Sequence, residues 1–196
     1  QICDRIGLDV WEVISAASTK PFGYMPFYPG PGLGGHCIPI DPLYLTWKMR
    51  GLGMQTRFIE LADIINSSMP HYVVRRIQDA LNEKTMSLKG AKVVVLGVAY
   101  KPDIDDLRES PAIEIITELI QHGAQVSYND PWVDKLQLAD TTLESQPLCS
   151  ELLSGSDIVL IHTAHSAYDW PIIAKEAPLI LDTRNVGIRG DHIVLL

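Results

Sequence analysis

Residues 91–100, AKVVVLGVAY, form an unbroken apolar run of the kind expected for a strand buried on both faces. A strand of that type needs parallel neighbours, and parallel neighbours need crossover helices to cover the sheet. The sequence that follows supplies both. Ser110–Pro111 reads as a helix N-cap followed by proline at the first helical position, opening PAIEIITELIQHG with Gly123 at its end. AQVSYND, SDIVLIHT and APLILDT are further strand candidates, and WPIIAKEA is a short helix between the last two. The expected fold class is α/β: a helical segment followed by a Rossmann-like, doubly wound parallel sheet.

Ahead of that run the rhythm is helical. Ile6, Val10, Val13, Ile14 and Ala17 recur at three and four residues, which predicts one amphipathic helix through QICDRIGLDVWEVI. From Ser18 to Ile40 all periodicity stops, and a loop of that length with several aromatic residues is expected to be packed and functional. Asp41–Pro42 reads as a second N-cap and first-turn proline, with LYLTWKMR following and Gly51 or Gly53 closing the helix. RFIELADIINSSMPHYVVRRIQDALNEK is long and helical, with Pro70 as a kink or a restart, and helices of this length often serve as dimer surfaces. The expected division is a helical region with the glycine-rich loop over 1–88 and a Rossmann-like domain over 89–196.

A formal charge of −8 argues against nucleic acid as the main partner, because phosphate backbones need a basic face. A few placed cations can still bind one anionic small molecule. No apolar run approaches the ~18 residues of a membrane span. Cys3, Cys37 and Cys149 are odd in number and far apart, so neither a disulfide framework nor a structural zinc site is expected, and a reducing cytoplasm is the simplest setting. The chain opens on Gln1 inside a helical pattern, which suggests a piece of a longer protein.

The turn after the first strand carries Gly97 alone where a dinucleotide fingerprint places three glycines, so close approach to a pyrophosphate is not encoded there. It is either a structural connection or a ligand loop of another type. Ligands of open α/β sheets bind beyond the carboxyl ends of the strands, where Tyr100, Lys101, Arg108 and, after another strand, Arg184 fall. An aromatic ring, an ammonium and a guanidinium suit a nucleotide base and its phosphates. Asp103, Asp105 and Asp106 lack the spacing of a calcium loop and read as a solvated run. His162, His165 and Trp170 either line the nucleotide cleft or pack strand ends. Gly30, Gly32, Gly34 and Gly35 either permit tight turns or bring backbone amides against a ligand. Cys37 is either a small buried hydrophobe or a nucleophile, the latter needing exposure and a nearby positive group or helix N-terminus.

Three blocks in order, PGPGLGGHCIPIDP, GVAYKPDIDDLRESPA and LDTRN, resemble the UDP-glucose/GDP-mannose dehydrogenase family, closest to its UDP-N-acetylhexosamine 6-dehydrogenase branch. The resemblance runs through essentially the whole chain. It implies the end of a central dimerisation region followed by a C-terminal, UDP-binding Rossmann-like domain, with the NAD-binding domain upstream. It implies oxidation of a sugar C6 alcohol to a carboxylate by two NAD+ without metal. Cys37 would be the nucleophile that captures the aldehyde as a thiohemiacetal and carries it through a thioester. Asp41 would position or activate water. Tyr28, Gly30, Gly32 and Leu33 match the loop that wraps the UDP-sugar. Tyr100 and Lys101 match a pair at the UDP moiety, Arg184 an arginine at the ligand cleft, and Arg108 one reaching NAD. Ile40 and His36 depart from the lysine and serine common in UDP-glucose dehydrogenases, as the N-acetylhexosamine branch does. The family's catalytic lysine and asparagine lie upstream of Gln1, so hydride transfer by this chain alone is not expected. A homodimer or higher homo-oligomer in the cytoplasm, serving polysaccharide precursor synthesis, is the implied context. Alternatives are a non-catalytic UDP-sugar-binding or dimerisation module, and a dehydrogenase acting on UDP-glucose.

Overall fold

The computed structural model describes residues 1–196. Strands β1 (Lys92–Leu96), β2 (Gln125–Asn129), β5 (Ile158–Ile161), β6 (Ile180–Asp182) and β7 (Ile193–Leu195) form one sheet in the order β2-β1-β5-β6-β7. Every pairing is parallel, with Val94 opposite Ser127 on one side and Val159 on the other. The expected doubly wound sheet is therefore present. A small antiparallel hairpin, β3 (Lys135–Gln137) with β4 (Thr142–Glu144), lies outside it.

Alternation along β1 builds both cores. Val93 and Val95 face a layer made by α5 (Met69–Glu83) and α6 (Pro111–Gln121), meeting Val73, Ile77, Leu81, Ile115, Ile116 and Leu119. Val94 and Leu96 face the opposite layer, where α7 (Ser150–Ser154) supplies Leu153 and α8 (Trp170–Glu176) supplies Ile173. Each such fully buried side chain stabilises the fold by about 1.5–3 kcal/mol relative to exposure. The sheet's core thus includes α5, which precedes residue 89 in the chain. Ser110 caps α6 as expected: its Oγ accepts from the Ala112 amide and donates to the Val98 carbonyl at 2.6 Å.

The helical part differs from expectation twice. Gly7, at φ 72°, ends α1 (Ile2–Ile6), and the Asp9 carboxylate caps a separate α2 (Val10–Ser18) by accepting from the Trp11 amide at 2.8 Å. A periodic apolar pattern survives a one-residue left-handed break, so the spacing concealed it. Next, α3 spans Cys37–Arg50 with His36 at its N-cap position, and Pro42 sits inside the helix. The expected cap at Asp41 is therefore incorrect. Pro39 occupies the first turn, where a missing N–H costs nothing, and it lets the helix start before Asp41. Pro70 marks a restart: α4 (Arg57–Ser67) stops and α5 begins with the proline in its first turn.

Helices α1 to α4 bury little. Ile14 in α2 and Thr46 in α3 are the buried residues among them, whereas Trp47 is 74% and Phe58 89% exposed.

Candidate active site

After β2 the chain crosses to the far side of β1 to form β5, so the strand order reverses between β1 and β5. The crevice at such a switch point is where open α/β sheets take ligands. Here it is walled by residues 97–110 after β1 and the segment after β5. Arg184 follows β6.

The glycine-rich loop seats on these strand ends. A Cβ on Gly30 would lie 2.8 Å from an Nη of Arg184, and one on Gly32 2.9 Å from Pro111. Gly34 is the closest within this loop: a Cβ there would meet the Cβ of Tyr100 at 2.6 Å and the carbonyl oxygen of Glu109 at 2.7 Å. Gly35, at φ 86°, presses on the Tyr100 ring and donates its amide to the Arg108 carbonyl at 2.9 Å. At Gly34 and Gly35, then, the missing side chains serve close packing of loop on sheet. The Leu33 amide donates to the Asn66 side-chain oxygen at 2.8 Å, tying the loop to α4 as well. No motif marked Asn66 beforehand; the only sequence hint was its place near the end of a helical pattern.

Cys37 and Asp41 are the first and fifth residues of α3, one turn apart and both exposed. The Cys37 thiol lies in the first turn of a 14-residue helix, at the positive end of the helix dipole. Arg108 lies in the same field. Its guanidinium is held protonated above its ordinary value, first by hydrogen bonds to Asp106 and then by the charge of that carboxylate. Asp106 receives Arg108 through both carboxylate oxygens at 2.6–3.0 Å, and its carboxyl is held down at about 2 by those bonds.

Arg184 is largely buried, donates from Nε to the His162 carbonyl at 2.6 Å, and has its backbone fixed by Asp182. Burial lowers its pKa to about 10 against the opposing pull of Asp182. Tyr100 is half-buried, with the exposed Lys101 ammonium 5.5 Å from its ring centre. Tyr28 is not gathered with them: its ring stacks on Trp11 of α2, centroids 6.0 Å apart. The structure thus brings Gly30, Tyr100 and Arg184 together at the strand ends, joins them through Gly35 to Arg108 and the Cys37 helix, and leaves Tyr28 against α2. Backbone strain marks the same region. Asp103, Glu109 and Asn185 are left-handed, three of the four non-glycine residues that are, and all three follow sheet strands here.

A cavity of about 450 Å³ lies beside the loop between α3, α4 and the start of α6. Asp63, Glu109 and Glu114 line it, while Lys101, Arg108 and Arg184 do not, so it is a poor seat for a diphosphate.

Asp130, just after β2, stands where a dinucleotide domain keeps the acid that holds the ribose. Here its oxygens take the amides of Val98, Ala99, Trp132 and Val133 and the Nε2 of His165. Burial alone would raise its carboxyl, but His165 and the amides outweigh that and hold it below the ordinary value. His162 and His165 are both fully buried, in keeping with the strand-end alternative.

Comparison with known proteins covers both parts of the chain. The model of the UDP-glucose/GDP-mannose dehydrogenase family UDP binding domain matches residues 94–188, and that family's central domain matches residues 1–68. A UDP-N-acetyl-D-mannosamine dehydrogenase of Methanococcus maripaludis is 36% identical over 168 residues, covering 86% of this chain and 36% of that protein. A UDP-N-acetyl-D-glucosamine 6-dehydrogenase of Pseudomonas aeruginosa is 38% identical over 170 residues, covering 85% and 39%. The structure of a UDP-D-ManNAc dehydrogenase from Pyrococcus horikoshii superimposes with a TM-score of 0.81 at 29% identity, over 99% of this chain and 45% of that one. The chain spans less than half the length of these relatives.

Proposed function

Because the chain belongs to the UDP-glucose/GDP-mannose dehydrogenase family, we propose that it is the UDP-sugar-binding and thiol-bearing part of a UDP-N-acetylhexosamine 6-dehydrogenase. The observation that carries this is the single loop that seats on Tyr100 and Arg184 at one end and leads straight into the Cys37 helix at the other. Nucleotide and reacting carbon would then be held by one continuous element.

In this proposal Tyr100, Lys101 and Arg184 bind the UDP moiety, and the loop from Tyr28 through Gly30 and Gly32 to Leu33 encloses the sugar. The Cys37 thiolate adds to the carbonyl carbon of a C6 aldehyde to give a thiohemiacetal. Once that carbon is at the acyl level, water attacks the thioester, the C–S bond breaks and the thiolate is regenerated. Asp41, one helical turn on, is placed to orient or deprotonate that water. NAD is the oxidant in this proposal, yet this sheet does not fit it: the β1 turn has one glycine and the Asp130 carboxylate is taken up by protein donors. NAD is therefore assigned to residues outside this chain, with Arg108 reaching toward it. Exposed Trp47 and Phe58 support a homodimer built on α3 and α4. No helix is long and apolar enough to cross a membrane, and three free cysteines fit a cytoplasmic setting.

The test is NADH formed per UDP-sugar consumed by a full-length protein carrying this chain, with UDP-GlcNAc, UDP-ManNAc and UDP-glucose compared. Two NADH per UDP-N-acetylhexosamine, lost in Cys37→Ala, is the expected result. Preference for UDP-glucose would replace the substrate. UDP-sugar binding with no NADH from any of the three would sink the dehydrogenase and favour a binding module.

A further inference from the structure

The segment from Tyr100 to Leu107 carries Tyr100 and Lys101 and leads into Arg108, yet it has no regular secondary structure. Its internal bonds, Tyr100 amide to Asp106 carbonyl and Arg108 to Asp106, give it shape, and Ile104 and Leu107 pack its far half on the core, leaving Tyr100–Asp103 to be placed by hydrogen bonds. Every hydrogen bond from Tyr100–Leu107 to a residue beyond position 110 runs through Asp103. Asp103 is one of the left-handed residues, at φ 63°, a conformation that aspartate tolerates in turns.

The Asp103 amide is bonded to His165. We propose that His165 is a positioning residue, fixing the loop that presents Tyr100 and Lys101 to the nucleotide; the proposal rests on the UDP-sugar reading above. The side chain is fully buried, and its two ring nitrogens are used in opposite senses. Nδ1 lies 3.0 Å from the Asp103 amide nitrogen. A backbone amide can only donate, so Nδ1 is the acceptor and the ring proton sits on Nε2. Nε2 then donates to Asp130 Oδ2 at 3.0 Å. That carboxylate also holds the Val98 and Ala99 amides, at the root of the same loop. Return bonds from the Ser166 amide and hydroxyl to Asp103 Oδ1, at 2.9 and 3.0 Å, close the clamp. One imidazole therefore ties the middle of the loop to its root, across the crevice between β1 and β5.

Two substitutions separate the ring's two bonds. His165→Asn places an amide oxygen near the position of Nδ1 and keeps the bond to Asp103. His165→Gln places an amide nitrogen near the position of Nε2 and keeps the bond to Asp130 only. The experiment is calorimetric titration with UDP of the full-length protein carrying this chain, as wild type and as each variant, alongside thermal unfolding. Loss of the Asp103 bond in His165→Gln is expected to weaken UDP binding by about tenfold, while His165→Asn stays within about threefold of wild type. A purely structural histidine would lower the unfolding temperature in both variants and leave UDP affinity equal, which overturns the proposal. Asp103→Gly, at an exposed site where glycine accepts the backbone angle, removes the Ser166 bonds without disturbing the core. It is expected to weaken UDP binding severalfold, and unchanged affinity there also overturns the proposal. A wild-type protein that does not bind UDP overturns the UDP-sugar reading itself, and this inference with it.

Discussion

His162 makes the stability of this fold depend on pH in a calculable way. Its side chain is fully buried at the end of β5. The Thr163 hydroxyl donates its one hydrogen to the Ala99 carbonyl at 2.6 Å, so the 2.8 Å contact between His162 Nδ1 and that hydroxyl needs the proton on the histidine. Nε2 is left without a partner. Burial, reinforced by the charge of Arg184, lowers the pKa to about 3 from an ordinary 6.5. A histidine with a depressed folded-state pKa binds its proton more readily in the unfolded chain. Its contribution is whole above pH ~6.5 and declines as pH falls from there toward ~3. Between pH 7.5 and 5.0 the loss is 1.36 × log(1 + 10^1.5), or about 2 kcal/mol. His162→Asn keeps an amide N–H for Thr163 and cannot titrate in this range. Urea unfolding of both proteins at the two pH values isolates the histidine, because all other groups cancel in the comparison. The variant begins less stable at pH 7.5, yet it should lose about 2 kcal/mol less on acidification. Parallel losses in the two proteins would refute a neutral, buried His162.

Gly34→Ala must open its 2.7 Å approach to the Glu109 carbonyl by about 0.7 Å to reach ordinary contact, displacing loop from sheet. UDP affinity measured by calorimetry should fall about tenfold or more, whereas Gly51→Ala, with its nearest contact at 3.4 Å, should leave it unchanged. Ser110→Ala removes both the cap of α6 and the donor to the buried Val98 carbonyl, and chemical denaturation should show a loss of about 2–3 kcal/mol. Sedimentation should find the wild-type chain self-associated and Phe58→Asp, altered at an 89% exposed position, folded but monomeric.

Much of the sheet was legible because its signals are local. The apolar run through Val93–Leu96 announces a strand buried on both sides, and Ser110–Pro111 announces a helix start within four residues. Short or weakly patterned elements were not legible: α7, the β3–β4 hairpin and β7 span five residues or fewer, and the packing around them decides their state. The start of α3 was misplaced for a related reason, since Pro39 and Pro42 both satisfy the first-turn rule and only the folded chain shows which one obeys it.

The candidate site divides in the same way. Cys37, Arg108, Arg184 and the glycines stand out in the chain because each chemistry needs its residue type. One helical turn between Cys37 and Asp41 follows from their spacing once α3 is known to begin at Cys37. Asn66 and Asp130 carry no such mark, and His165 stood out only as one of three residues that line the cleft or pack strand ends. Asn66, Asp130 and His165 act across 33, 32 and 62 residues, on Leu33, Val98 and Asp103 respectively. Sequence by itself determined the helical rhythm, the parallel strands and the reactive residue types, all of which depend on neighbours a few positions away. Only the tertiary structure decided the strand order, the seating of the glycine loop on Tyr100, and which buried acid and histidine bond to the loop after β1. Those choices depend on contacts that exist only after the chain has closed on itself.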